Sequence, residues 1–414
     1  MKMQTYILVC FLFAESLLWA QDVPFPAENK TFVNYNENKI YFPGDSLAFR
    51  GFHKKIDSLL IYGKGKINIV HIGGSHVQAD IWSDRIRTNF YNYFPGSNGG
   101  RGFIFPFRVA KTNNPYYFYP EYTGNWESCR NVETKKNCLL GLSGISITTA
   151  DTLSTVKIKF RGVSTPLYEF DRVKVFHAFD STRLDLCLQL PDSLFTFEQF
   201  PDLGYSEFII FKRLDSLQLK FEKTDTSQKS FTLFGITLEN NDSGISLHAI
   251  GVNGASVPSY LRCELFTPHL SVLKPDLVIL SIGINDAYEP GFDPAVYEKN
   301  YDSLVANIKL ASPNTAILFT TNNDSYYKKR YPNRNAELVR QTMFLLAKKY
   351  NAGVWDMFSL MGGLGSVKIW QKLGLAKIDK VHFTKEGYEL MGDLLFNALI
   401  KSYDAHLGNF NTVE

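Results

Sequence analysis

Past its first twenty residues this sequence has no apolar run long enough to cross a bilayer, which excludes a bundle of membrane-spanning helices. Charge of one sign is also missing. The 44 Lys and Arg against 41 Asp and Glu leave a net +3 and no basic stripe, so nucleic acid is not expected as a partner. Cysteine is scarce, with four after residue 20: Cys129, Cys138, Cys187 and Cys263. No two have zinc-finger spacing and the eight histidines are scattered, so no metal site is expected. Internal repeats and low-complexity tracts are absent. The Gly73-Gly74-Ser75 turn lacks the lysine that a phosphate-cradling loop would place after it.

What is present reads as a well-cored chain of two or three domains, with 45% hydrophobic and 21% charged residues. The 33 Phe and 22 Tyr serve cores or stack on sugar rings, and composition does not separate these uses. Met1-Lys2, an apolar run from Tyr6 to Phe13, and Leu17-Leu18-Trp19-Ala20 have the form of a secretory leader at residues 1–20. Export to a bacterial periplasm or cell surface is therefore expected, with no membrane span after cleavage. In such a compartment disulfides are permitted. Cys129 and Cys138 flank a short polar stretch that a bridge would close, Cys187 reads as a buried strand thiol, and spacing leaves the connectivity open.

Two patterns alternate along the chain. Ile67-Asn68-Ile69-Val70-His71 is a buried-strand pattern that runs into Gly73-Gly74-Ser75, and Ala79 to Tyr91 has apolar residues at helical spacing. From residue 247 onward strand-like and helix-like segments alternate, as in a doubly wound parallel sheet covered on both faces. Between residues 105 and 246 the pattern changes to short β-type runs separated by turn residues, which predicts an inserted sandwich or jelly roll. The expected organisation is thus an arm and first α/β segment at 21–104, an all-β insert at 105–246 and a second α/β segment at 247–414.

Four blocks fall where strands end or helices begin. They are Gly73-Gly74-Ser75, Gly251-Val252-Asn253-Gly254, Gly283-Ile284-Asn285-Asp286 and Asp379-Lys380-Val381-His382. In a doubly wound sheet such loops gather at one edge, so distant blocks can share a site. A serine becomes a useful nucleophile only with a base for its proton and donors for the oxyanion. His76 and Asp80 lie near enough to compete as the base, with helix-start contacts as their plainer reading, and His71 and His248 read as core residues.

In this order the blocks resemble the SGNH/GDSL family of esterases and lipases. The resemblance implies Ser75 as nucleophile, with Asp379 and His382 completing its triad. It also implies an oxyanion site made by the Ser75 and Gly254 N–H groups and the Asn285 amide. No cofactor is implied. The family's usual Asp before the serine is here Gly74, a position outside the proton-transfer groups. The Gly73-Gly74-Ser75-His76-Val77-Gln78-Ala79-Asp80 run and the Phe234-to-Ala255 approach are similar to those of bacterial peptidoglycan O-acetylesterases, whose insert resembles a carbohydrate-binding module. That likeness implies an acetylated glycan, peptidoglycan first, as substrate. An esterase acting on plant or host polysaccharide, a glycan O-acyltransferase and a non-catalytic glycan-binding protein stay open, and oligomeric state is not legible.

Overall fold

The structure, a computed structural model, describes residues 30–161, 168–288 and 290–408. The expected leader at 1–20 lies outside the described residues. Six strands form one sheet in the order Ile40–Tyr41, Gly353–Trp355, Ala316–Thr320, Leu277–Ser281, Lys66–Gly73 and Gly244–Gly251. Neighbours are parallel except Ile40–Tyr41, which lies antiparallel on Gly353–Trp355 at the edge. The segment expected to be an arm is therefore a working part of the fold: it supplies this edge strand and the helix Leu47–Tyr62.

The sheet is covered on both faces because its side chains alternate between them. Ile69, Ile279 and Leu318 pack with Phe49, Ile86 and Leu394 of the helices Leu47–Tyr62, Ile81–Tyr93 and Lys385–Gly408. Val70, Leu280 and Phe319, one position along, pack instead with Leu304 and Met343 of Pro294–Ala311 and Asn335–Tyr350. Each of these side chains is essentially fully buried, which stabilises the fold by about 1.5–3 kcal/mol apiece. The winding reverses at Lys66–Gly73: the next strand lies on one side of it, and the one after that on the other. Ligands of such sheets bind at that reversal, beyond the C-terminal strand ends.

Two antiparallel sheets occupy most of residues 102–239. One contains Phe195–Phe200, Tyr205–Leu214, Phe170–His177, Phe231–Glu239, Ile145–Thr149 and Glu127–Arg130 in that order. The other contains Phe118–Thr123, Leu153–Phe160, Ser216–Glu222 and Asp185–Leu188. The first also takes in Gly102–Ile104, paired with Phe231–Glu239, so a strand placed by sequence in the first α/β segment belongs to this layer. Phe103, Ile147, Leu233 and Phe208 join the same buried cluster as Val70, Ile72 and Ile250 of the parallel sheet. The layers thus share one apolar interior with it. Cys129 and Cys138 are bridged across the end of this layer, Cys263 is buried, and Cys187 is only half-buried, on the outward side of its strand.

Candidate active site

The Lys66–Gly73 strand delivers Ser75 to the sheet edge through a crowded turn. A Cβ on Gly73 would stand 2.5 Å from Val77 and 2.6 Å from the Ser281 carbonyl oxygen, so no larger residue fits. The Tyr260 hydroxyl donates to the Gly73 carbonyl at 2.7 Å and fixes the strand end. Ser75 then opens the short helix Ser75–Gln78, and as a first helical residue its N–H has no acceptor within its own helix. The helix expected from Ala79 begins instead at Ile81, because Asp80 sits in a left-handed conformation (φ 58°) that breaks it.

His382 lies beside the serine, 307 positions on, with its Nε2 2.8 Å from Ser75 Oγ. Its Nδ1 is 2.9 Å from Asp379 Oδ2. The other carboxylate oxygen accepts the N–H groups of Val381 and His382, both at 2.9 Å, which Lys380 permits by turning through φ 57°. Burial alone would raise the Asp379 carboxyl, but these backbone donors and the imidazole outweigh it and hold the group below the usual carboxylate range. An ionised Asp379 keeps the Nδ1 proton in place and leaves Nε2 to accept from the serine hydroxyl. The His382 and Asp379 side chains are 35% and 36% exposed, so a bulky substrate can reach them.

The other two blocks meet the serine from neighbouring strands. Gly254 follows Gly244–Gly251 at φ 83°, a backbone that glycine adopts freely, and it is exposed. Asn285 follows Leu277–Ser281, and its Nδ2 donates to the Ala255 carbonyl at 2.8 Å, which ties the third block to the second. A Cβ on Gly74 would lie 3.3 Å from that same Nδ2, so the amide stands against the residue just before the serine. Its second hydrogen has no protein acceptor among the described residues. Next to it Asp286 accepts the Val257 N–H, and burial raises its carboxyl to about 6.

The competing residues find other employment. Asp80 pairs with Arg101 and Arg87, and Arg87 also pairs with Asp84 and donates to the Leu247 carbonyl. The Tyr168 hydroxyl closes this buried network on Asp84. Removing one partner from such a network costs about 3–5 kcal/mol, so Asp80 holds the fold under the serine. His76 is buried with Nδ1 2.8 Å from the Tyr388 hydroxyl, and its ring lies 5.3 Å from that of His382. Burial, then the neighbouring His382, push it down to about 3, which leaves a neutral ring packed against the imidazole rather than a second base. His71 bridges Ser83 and Ser281 inside the sheet, and His248 accepts the Phe103 N–H; both are core residues as expected.

Sequence reasoning missed Gln78. Its amide donates to Thr112 Oγ1 and the Asn113 carbonyl, and its Oε1 accepts the Asn253 N–H at 2.6 Å. One buried side chain thus joins the serine turn, the Gly254 turn and the segment leading into the antiparallel layers. Its sequence signal was its place in the Gly73-to-Asp80 run, which gave it no role of its own. Among the described residues no cluster of metal-ligating side chains occurs, and no helix is long and apolar enough to cross a membrane.

Residues 229–390 match the GDSL-like Lipase/Acylhydrolase family. That span holds Gly254, Asn285, Asp379 and His382, while Ser75 precedes it. A solved structure described as a peptidoglycan O-acetylesterase in action superposes with a TM-score of 0.73, covering 88% of this chain and 99% of its own at 22% identity. An acetyl xylan esterase, AlAXEase, covers 37% of this chain and 81% of its own at 20% identity, with a TM-score of 0.30. An acylhydrolase structure from Bacteroides fragilis covers 39% and 76% at 21% identity, with a TM-score of 0.31. Comparison with curated proteins gives no match. With the fold, the strand-end loops and the matched span together, the chain carries a hydrolase domain of the GDSL/SGNH family and is a carboxylic ester hydrolase.

Proposed function

We propose that this hydrolase is an exported serine esterase that removes O-acetyl groups from a glycan, peptidoglycan first, through an acyl-enzyme. The observation that carries the reading is the unbroken line from Ser75 Oγ through the His382 ring to the Asp379 carboxylate, at 2.8 and 2.9 Å. In this reading His382 takes the Ser75 proton as Oγ bonds to the acetyl carbon, then gives it to the sugar oxygen as the ester bond breaks. Water, deprotonated by His382, attacks the acetyl-serine, and acetate leaves as Oγ regains the proton. The Ser75 and Gly254 N–H groups and the Asn285 amide hold the oxyanion of each tetrahedral intermediate. The likeness over 88% of the chain to a peptidoglycan O-acetylesterase supports the substrate class, and the leader-like residues 1–20 support export.

The test is acetate release from O-acetylated peptidoglycan and from acetylated xylan, by the natural protein and by Ser75→Ala. Peptidoglycan should be the better substrate, and the variant should lose about 10⁴-fold or more in kcat. Full turnover by Ser75→Ala would sink the nucleophile assignment. A clear preference for xylan would defeat the cell-wall reading while leaving the esterase intact.

A further inference from the structure

A cavity of about 460 Å³ opens beside the Gly254 and Asn285 loops and is walled further out by Tyr288, Phe292 and Asn300. At about 30 Å³ per water-sized heavy atom it has room for about fifteen, whereas an acetyl group has only three. The cavity is therefore far larger than the acyl group of the proposed reaction requires. Two half-buried aromatic rings face it, each steadied by another: Tyr288 by Tyr327 at 5.2 Å and Phe292 by Tyr297 at 5.3 Å. The Tyr288 hydroxyl accepts the Lys328 N–H at 2.9 Å, which further restrains that ring. Asn300 is half-buried on the Pro294–Ala311 helix, and its side-chain amide makes no hydrogen bond to any described residue.

Three ligand chemistries can be weighed against this lining. A long acyl chain would strip water from the Asn300 amide and from Asp286 without replacing their hydrogen bonds, which is costly. An anion would meet the carboxylates of Asp286 and Asp293, and no Lys, Arg or His lines the cavity to offset them. A neutral pyranose has an apolar face for the rings, and hydroxyl or amide groups for Asn300. We infer that this cavity is a subsite for one neutral sugar ring of the ester-bearing glycan, seated on Tyr288 and Phe292 and hydrogen-bonded by Asn300. The inference rests on the glycan reading above.

The probe is N,N′,N″-triacetylchitotriose, an uncharged oligosaccharide without O-acetyl groups, used as an inhibitor of 4-nitrophenyl acetate hydrolysis. In the natural protein it should inhibit competitively. Asn300→Trp, which fills the cavity, should weaken that inhibition at least about tenfold, and Asn300→Ala, which a helix tolerates, by about threefold to fivefold. In parallel, kcat/KM for O-acetylated glycan should fall about tenfold more than for the small ester in Asn300→Trp. Absence of inhibition in the natural protein, or equal inhibition of all three proteins, overturns the subsite. Acetate release from glycan that both variants match also overturns it, and the glycan reading then survives. Inhibition lost in the variants, with no acetate released from any glycan, keeps the subsite and overturns that reading instead.

Discussion

The edge of the parallel sheet and the antiparallel layers are both built on strands but handle chemistry in opposite ways. All parallel strands point in one direction, so the turns after Gly73, Gly251 and Ser281 open at the same edge although they are far apart in the chain. In the layers each strand reverses the last, and their turns divide between two ends. Among the described residues, two parts of the 102–239 region reach the edge loops through polar side chains: Thr112 and Asn113 through Gln78, and the Cys129–Cys138 loop through Arg262. The contrast suggests a division of labour, with chemistry at the edge and stability and shape in the layers.

The largest separation between the two should come from Asn285→Ala. If the amide holds an oxyanion, its loss should lower kcat by about 10²–10³-fold with little change in KM or in thermal stability. Steady-state kinetics on a small acetyl ester, beside a melting curve, measure both. A rise in KM at constant kcat would assign Asn285 to ground-state binding instead, and the edge would then carry less of the chemistry than this comparison gives it.

The layers should respond the other way to loss of their bridge. Cys129 and Cys138 close a loop across nine positions, and a link of that span stabilises by about 2–3 kcal/mol through the unfolded chain. Changing both to serine should lower the denaturation midpoint accordingly. Activity should change by less than about threefold, because Arg262 still donates to the carbonyls of Asn131, Glu133 and Lys136 and holds the loop near Gly254. A loss of activity matching that of Asn285→Ala would erase the proposed division.

The same contrast governs what was legible in the sequence. The edge could be read because its turns need particular residues: no side chain fits at Gly73, and Gly254 turns through positive φ. Asp379 and His382 were visible only through the resemblance of the four blocks to the family, and the structure supplies the physical reason for their spacing: three residues apart, one carboxylate accepts two N–H groups and faces the ring as well. In the layers the alternation announced strands but not their partners. Antiparallel pairing is set between distant segments, so the union of Gly102–Ile104 with Phe231–Glu239 left no local mark. Gln78 and the Asp80–Arg101–Arg87–Asp84 network were hidden similarly. Each is a polar side chain whose value depends on partners brought up by the fold.

The smallest expected effect tests the edge at its least usual residue. Gly74 has φ −94°, so nothing in its backbone demands glycine, but a Cβ there would lie 3.3 Å from Asn285 Nδ2 and 3.5 Å from the Ala255 carbonyl. Those two atoms are hydrogen-bonded to each other, so Gly74→Ala must push on the bond that orients the amide. A displacement of a few tenths of an ångström should lower kcat by about threefold to tenfold, since oxyanion donors act over narrow distances. Stability should hold or rise by about 0.4–1 kcal/mol, because alanine restricts the unfolded chain. The decisive measurement is the double variant. If residue 74 acts only through the amide, Gly74→Ala should have no further effect on kcat once Asn285 is alanine. Additive losses would mean that residue 74 shapes the serine turn directly, and that the missing acidic side chain matters to the chemistry in its own right.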